Sequence, residues 1–265
     1  MSHDTSRLLA GRVALVTGAS RGNGAAIARA LGRHGAAVGV NYLNNAEAAE
    51  KVVADIEAAG SRAVAVAGDA TGAEGVAKVV ARVAAEFGDV DLLVPTVFGP
   101  TVDVVERFRQ GLTLILNNGD DIQRRVDTQL SAVLHATREV VPGMRRKGGG
   151  SIVLISATQS RGRPTRGTAE AAVAKAALDT LAKAMAGELG EYGIRVNTVA
   201  PGMVPTDSNA GPHQAALIEQ MTQTTPLGRV ATVEDVADAV VVLSSPLTAH
   251  VTGAYVGVDG GRGML

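Results

Sequence analysis

Short runs of β-branched and aliphatic residues alternate with longer Ala-rich stretches along the whole chain. The runs are VALVT from 13, AAVGV from 36, RAVAVAG from 62, DLLVP from 91, SIVLIS from 151, IRVNTVA from 194 and AYVGVD from 254. Continuous apolar runs of this length fit strands buried on both faces. Between them lie helix-length segments at 23–34, 45–59, 73–87, 120–147, 168–190 and 233–244. Alternation of this kind needs a crossover after each strand, which makes the strands parallel. The pattern predicts one α/β domain, a doubly wound parallel sheet of seven strands of the Rossmann type with helices on both faces. The Gly-rich KGGGS at 147–151 reads as a helix-to-strand turn.

Composition narrows the function classes. Hydrophobic residues make up 46% of the 265, enough for a sizeable core, and with aromatics at 2% and no Trp that core is aliphatic. A net charge of −1 offers no basic field for a phosphate backbone, so no nucleic-acid partner is expected. The absence of cysteine excludes disulfides and thiolate metal sites. The segment MSHDTSRLLAGR has no long apolar core and no run approaches the length of a membrane span. No membrane partner and a cytoplasmic location are expected. His34, His135, His213 and His250 lack ligand spacing, so no metal is expected. RRK at 145–147 reads as a solvated helix end favoured by the helix dipole.

The first strand runs into TGASRGNG, with Gly18, Gly22 and Gly24 at the mouth of the first helix. Glycines there permit a tight turn, backbone approach to a pyrophosphate and close helix–strand packing. The helix amino end adds free N–H groups and a positive dipole end. Ser20, Arg21 and Asn23 fill the remaining loop positions. A strand before and a helix after the glycines make this a dinucleotide-binding loop.

The spacing T-G-x-x-x-G-x-G resembles that of the short-chain dehydrogenase/reductase family, in particular members like the 3-oxoacyl-carrier-protein reductases. The likeness continues along nearly the whole chain. GDAT at 68–71 matches the family's adenine-contacting turn, which assigns Asp69 and Ala70 to the cofactor. APGMVPTD at 200–207 matches its Pro-Gly segment and assigns Pro201, Gly202, Val204 and Thr206. TGAYVGVDGG at 252–261 matches its last strand. A carboxylate ending the second strand would bind a ribose 2′-OH and repel a 2′-phosphate. Here that stretch is NYLNN, with Asn41 and Tyr42 as candidate contacts and no acid, so the expected cofactor is NADPH. Arg21 strengthens this, because a guanidinium pairs well with a phosphate.

The resemblance also implies a catalytic set that this sequence departs from. In the family a Tyr four residues before a Lys donates the proton, since residues i and i+4 share a helix face and the ammonium lowers the phenol's pKa. Lys175 occupies the lysine position and Ala171 the tyrosine position. The family's Ser falls on Ala157, with Ser156, Thr158 and Ser160 nearby; Thr158 stands thirteen residues before Ala171 and Ala157 fourteen. The family's Asn becomes Gln129, and its Asn-Asn-Ala-Gly after the fourth strand becomes PTVFGP, while NNGDD at 117–121 reads as the next helix cap. The candidate catalytic residues are therefore Lys175, Thr158 and Gln129.

Three readings follow. The first is an NADPH-dependent reductase whose quinone-like or polycyclic aromatic substrate needs no proton from the enzyme, its product being a delocalised phenolate. The second keeps carbonyl reduction with a relocated acid: Thr158, Glu170 or water, although Glu170 points about 100° away from the Ala171 direction and reads as a solvated surface residue. The third is a non-catalytic NADPH-binding protein serving as sensor, scaffold or inactive subunit. The substrate pocket falls to 95–101, 157–168 and a lid at 203–225. The resemblance further implies a homotetramer paired through the helices near 120–147 and 168–190.

Overall fold

The computed structural model describes residues 7–96, 120–162, 164, 168–206 and 214–264. In chain order its elements are β1 (Val13–Thr17), α1 (Gly22–Arg33), β2 (Ala37–Tyr42), α2 (Ala46–Ala58), β3 (Ala63–Ala67), α3 (Ala73–Phe87) and β4 (Leu92–Pro95). They continue with α4 (Asp120–Arg146), β5 (Gly150–Ile155), α5 (Ala169–Leu189), β6 (Ile194–Pro201), α6 (Gln214–Gln223), α7 (Val233–Ser244) and β7 (Tyr255–Val258). The strands form one sheet in the order β3-β2-β1-β4-β5-β6-β7. Every pairing in it is parallel.

Two aliphatic cores flank the sheet, and β1 shows how one strand feeds both. Ala14 and Val16 pack with Ile27 and Leu31 of α1, Val52 of α2 and Val240 of α7. Val13 and Leu15 face the other way, toward Val83 of α3, Val140 of α4 and Leu178 of α5. That alternation is the period of two that a pleated strand imposes. β1 lies between β2 and β4, so the chain order reverses there, and the carboxyl ends of β1 and β4 meet with Thr17 opposite Pro95. Open α/β sheets bind ligands in the crevice at such a switch point.

The seven strands and six helices read from the pattern are all present, with ends shifted by one or two residues. The pattern missed α6, a ten-residue helix with no fully buried residue. KGGGS does make the turn into β5, and Gly148 has a φ of +75° that a side chain would strain. The residues 117–119 of NNGDD lie outside the described residues, and α4 begins at Asp120.

RRK is an exposed helix end, as expected, and its cations also find partners. Arg146 clamps Asp89 with bonds of 3.0 and 2.7 Å. Lys147 pairs with the buried Asp91, which also accepts the Val13 N–H at 3.1 Å. Arg145 lies 4.0 Å above the Tyr192 ring. The cations tie α4 to the start of β4, because a carboxylate buried at a strand start requires paired charge. Among the described residues no helix is long and apolar enough to cross a membrane, and no group of His, Asp and Glu is arranged to hold a metal.

Candidate active site

The glycine loop at the end of β1 is built for close approach. Gly18 and Gly22 have φ of +64° and +55°, the left-handed region that side chains avoid. A Cβ on Gly24 would stand 2.4 Å from the Gly18 carbonyl oxygen and 2.7 Å from Thr96 Oγ1. Thr96 in turn donates to the Thr17 carbonyl at 2.6 Å, closing the loop from the β4 side. α1 carries no acidic residue in its first turn and no side-chain cap, so its amino end is left to an anion. These features fit a dinucleotide pyrophosphate. Gly24→Ala is expected to displace the loop and weaken cofactor binding at least about tenfold, a loss of about 1.4 kcal/mol; an unchanged dissociation constant by fluorescence titration would show that the loop yields.

Asn41 is buried, its Oδ1 accepts the Gly18 N–H at 3.2 Å, and its Nδ2 donates to the carbonyls of Val66 and Gly68 at 3.2 and 3.0 Å. With its amide consumed by these bonds, the Asn41 side chain holds the loop from behind. Tyr42 is partly buried against the first core. Asn45 caps α2 by accepting the Ala48 N–H at 3.0 Å. Arg21 is left as the exposed cation beside this acid-free strand end.

Two further segments border the crevice. Asp69 Oδ1 accepts from the N–H and hydroxyl of Thr71 at 2.8 and 2.7 Å, and these bonds hold its carboxyl below the usual range. Ala70 beside it is buried. His135 of α4 reaches the Thr71 carbonyl at 3.0 Å and fixes the same turn. After Pro201, Gly202 passes so near Asp259 that a Cβ would come within 2.8 Å of its Cβ. Val204 is buried, and Thr206 Cγ2 lies 3.7 Å from where a Cβ on Gly22 would stand. The segment after β6 thus crosses over the glycine loop, and Ser20 and Asn23 stay partly exposed within it.

α5 brings Lys175 to the end of β5. Lys175 is buried and its Nζ donates to the Ile155 carbonyl at 2.6 Å. Burial pushes its pKa down to about 7; the positive charge of Arg125 adds to the fall and Asp179 opposes it. Gln129 is buried with neither amide atom hydrogen-bonded. Arg125 stands one turn before it on α4, half-buried, its pKa lowered by burial against the opposing charge of Glu170. Glu170 itself is buried, which corrects its expected solvated position: the head of α5 turns it toward Arg125.

The three hydroxyls near Ala157 separate. Ser156 donates to the Lys175 carbonyl at 3.4 Å and Ser160 to Asp179 at 2.7 Å, so α5 engages both. Thr158 instead lines a cavity of about 370 Å³, with Met203, Met221, Thr225, Asp259 and Arg262 among the other walls. Thr158, Gln129 and Lys175 make no hydrogen bond to one another among the described residues. Sequence reasoning missed Arg125, hidden in a charged run, and Tyr255, whose hydroxyl donates to the Ala157 carbonyl at 3.4 Å under the Arg161 guanidinium. The i, i+4 spacing of Arg125 to Gln129 was the available signal.

Fold and site together define a dinucleotide-binding oxidoreductase. The profile of the family described as enoyl-(acyl carrier protein) reductase matches residues 18–262. L-rhamnose 1-dehydrogenase (NAD(P)(+)) of a Sphingomonas species is 35% identical, covering 96% of this chain and 97% of its own. Versicolorin reductase 1 of Aspergillus parasiticus is 37% identical over the same shares, 96% and 97%. A crystal structure of a dehydrogenase/reductase from Sinorhizobium meliloti superposes with a TM-score of 0.85 at 35% identity, covering 97% of each chain. The chain belongs to the short-chain dehydrogenase/reductase family. It is an NAD(P)H-dependent oxidoreductase that acts on small molecules.

Proposed function

We propose that the chain is an NADPH-dependent reductase of a quinone-like or polycyclic aromatic substrate. The observation that carries this reading is the methyl of Ala171, partly exposed one helical turn before the buried Lys175, where a carbonyl reductase of this family would present its phenol. Losing a general acid costs about 10²–10⁴ in rate where a proton moves in the transition state. A quinone escapes that cost, because hydride addition yields a phenolate that takes its proton from water afterwards.

The bound nicotinamide supplies the hydride, and the chain's own residues place it and the substrate. Gly18, Gly22, Gly24 and the amino end of α1 would hold the pyrophosphate, and Arg21 the 2′-phosphate. Lys175 would donate to the ribose hydroxyls. Thr158, whose side chain faces the cavity, would orient the substrate oxygen. Met203 and Met221 of the proposed lid, in the cavity wall, would pack against an apolar ring system, while its residues 207–213 lie outside the described residues.

Following NADPH absorbance with quinones and with simple aliphatic ketones tests the reading. Turnover of quinones only is the expected result, and ordinary rates with simple ketones would overturn it. The cofactor half is tested by titration. NADPH is expected to bind more tightly than NADH, and Arg21→Ala to weaken NADPH about tenfold, the worth of a charged hydrogen bond, with NADH unaffected. α4 and α5 are proposed as the pairing faces of a homotetramer, which light scattering would report as four times the 26.9 kDa chain.

A further inference from the structure

Because the strands are all parallel, the residues that lead into them gather at one end of the sheet, opposite the cofactor crevice. A second cavity of about 210 Å³ opens there, with Arg7, Arg12, Arg62, Phe87 and Lys147 in its walls. Four of these side chains are cations, and among the described residues no acid lines the cavity. Behind the wall the buried Asp91 is already spent on Lys147, on Arg12 at 3.4 Å and on the Val13 N–H at 3.1 Å. Arg7 and Arg62 are different: both are exposed, and neither makes an ion pair or a side-chain hydrogen bond among the described residues. The Arg62 guanidinium lies 5.1 Å from the centroid of the Phe87 ring, a contact that uses the flat face of the ion and leaves its N–H edge available. A Cβ on Gly35 would stand 3.4 Å from Arg7 Nε, so the glycine lets that side chain lie close to the backbone. Like charges gathered around one cavity repel, a cost that an anion between them removes.

We propose that this cavity is a second anion site, separate from the cofactor crevice, and that it takes a chain of two or three phosphates. Charge sets the class of ligand. Four cations against the single Asp91 carboxylate leave three positive charges in excess. A lone phosphate group carries about 1.5 to 2 negative charges at neutral pH, too few to balance them, whereas a di- or triphosphate matches. The forks of Arg7 and Arg62 each suit a pair of phosphate oxygens. Arg12 and Lys147, held by Asp91, add charge without leaving their partner. A nucleoside di- or triphosphate and an inorganic polyphosphate share this chemistry. Arg12 stands just before the first residue of β1 and Gly18 just after its last, so the strand separates the two sites and both can be filled at once. The proposal is independent of which substrate the crevice takes.

The test is calorimetric titration of inorganic pyrophosphate and tripolyphosphate into protein loaded with one equivalent of NADP⁺, which keeps the probes out of the glycine loop. Both probes are expected to bind, and added salt to weaken them. Arg62→Ala should lower the affinity about tenfold, the worth of a charged hydrogen bond, and Arg7→Ala with Arg62→Ala should lower it further. Arg62→Lys should recover part of the loss, because it keeps the charge and gives up the fork. Both arginines are exposed, so the variants should keep the fold and their NADP⁺ affinity. No binding of either probe to the wild-type protein overturns the proposal. Binding that survives unchanged in the Arg7→Ala, Arg62→Ala double variant does the same, since the probe then sits elsewhere. Inorganic phosphate bound as tightly as pyrophosphate would overturn the assignment to a phosphate chain. ATP run in parallel separates the two sources: affinity above that of tripolyphosphate assigns the site to a nucleotide, and equal affinity to the phosphate chain alone.

Discussion

Lys175→Met should make the protein without cofactor more stable near neutral pH and remove most of the rise in its stability from pH 7 to 9. The folded lysine titrates at about 7, driven first by burial, whereas an unfolded one titrates at 10.5. Between those values the unfolded chain holds the proton that the folded chain has lost, so stability increases with pH. The slope is about 1.4 kcal/mol per pH unit for one such group. Below about pH 7 both states are protonated and the folded one bears the full cost of a buried ammonium. Urea unfolding of wild type and variant at each half unit of pH isolates the lysine, because other titrating groups cancel in the difference. Two parallel curves would show that water or the Ile155 carbonyl solvates the charge better than the burial implies. The variant should also bind NADPH more weakly, as the proposed contact of Lys175 with the ribose hydroxyls implies.

The sheet and the glycine loop were legible because each rests on local pattern. A parallel strand buried on both faces is an apolar run wherever it occurs. A loop that must reach φ of +64° and +55° announces itself by glycine. The site was legible only in part, because its remaining features depend on what faces a residue across the fold. Asn41 looks like a cofactor contact at the end of β2, yet the carbonyls of Val66 and Gly68 on the next strand and its turn consume its amide. Glu170 looks solvated from its angle around α5, yet α4 covers that side and brings Arg125 to it. RRK is the exposed helix end its position suggests, but its partners Asp89 and Asp91, more than fifty residues earlier, could not be read from spacing. Helix α6 is short and buries no residue fully, so its few apolar positions, Leu217, Ile218 and Met221, stood out little from the segment around them. Angle and spacing fix a residue's direction from its own element, but only the packed neighbours decide what it meets.

Restoring the missing hydroxyls should separate a site recast for flat substrates from one that has merely lost its function. The double variant Ala171→Tyr with Ala157→Ser places a phenol one helical turn before Lys175, an ammonium near enough to lower its pKa. Were the alanines simple losses, carbonyl reduction would appear in the variant while any native activity persisted. The proposed site leads to a different expectation. On the proposed reading the tyrosine ring takes space beside Ala171 that a planar ring system needs, so quinone turnover should fall about 100-fold or more, a loss of about 2.7 kcal/mol. NADPH affinity should stay within about twofold, a change below 0.5 kcal/mol, because Gly18, Gly22, Gly24 and Arg21 lie at the end of β1, across β4 from the substitutions. A double variant with full quinone turnover would show that the methyl at 171 is not what selects the substrate.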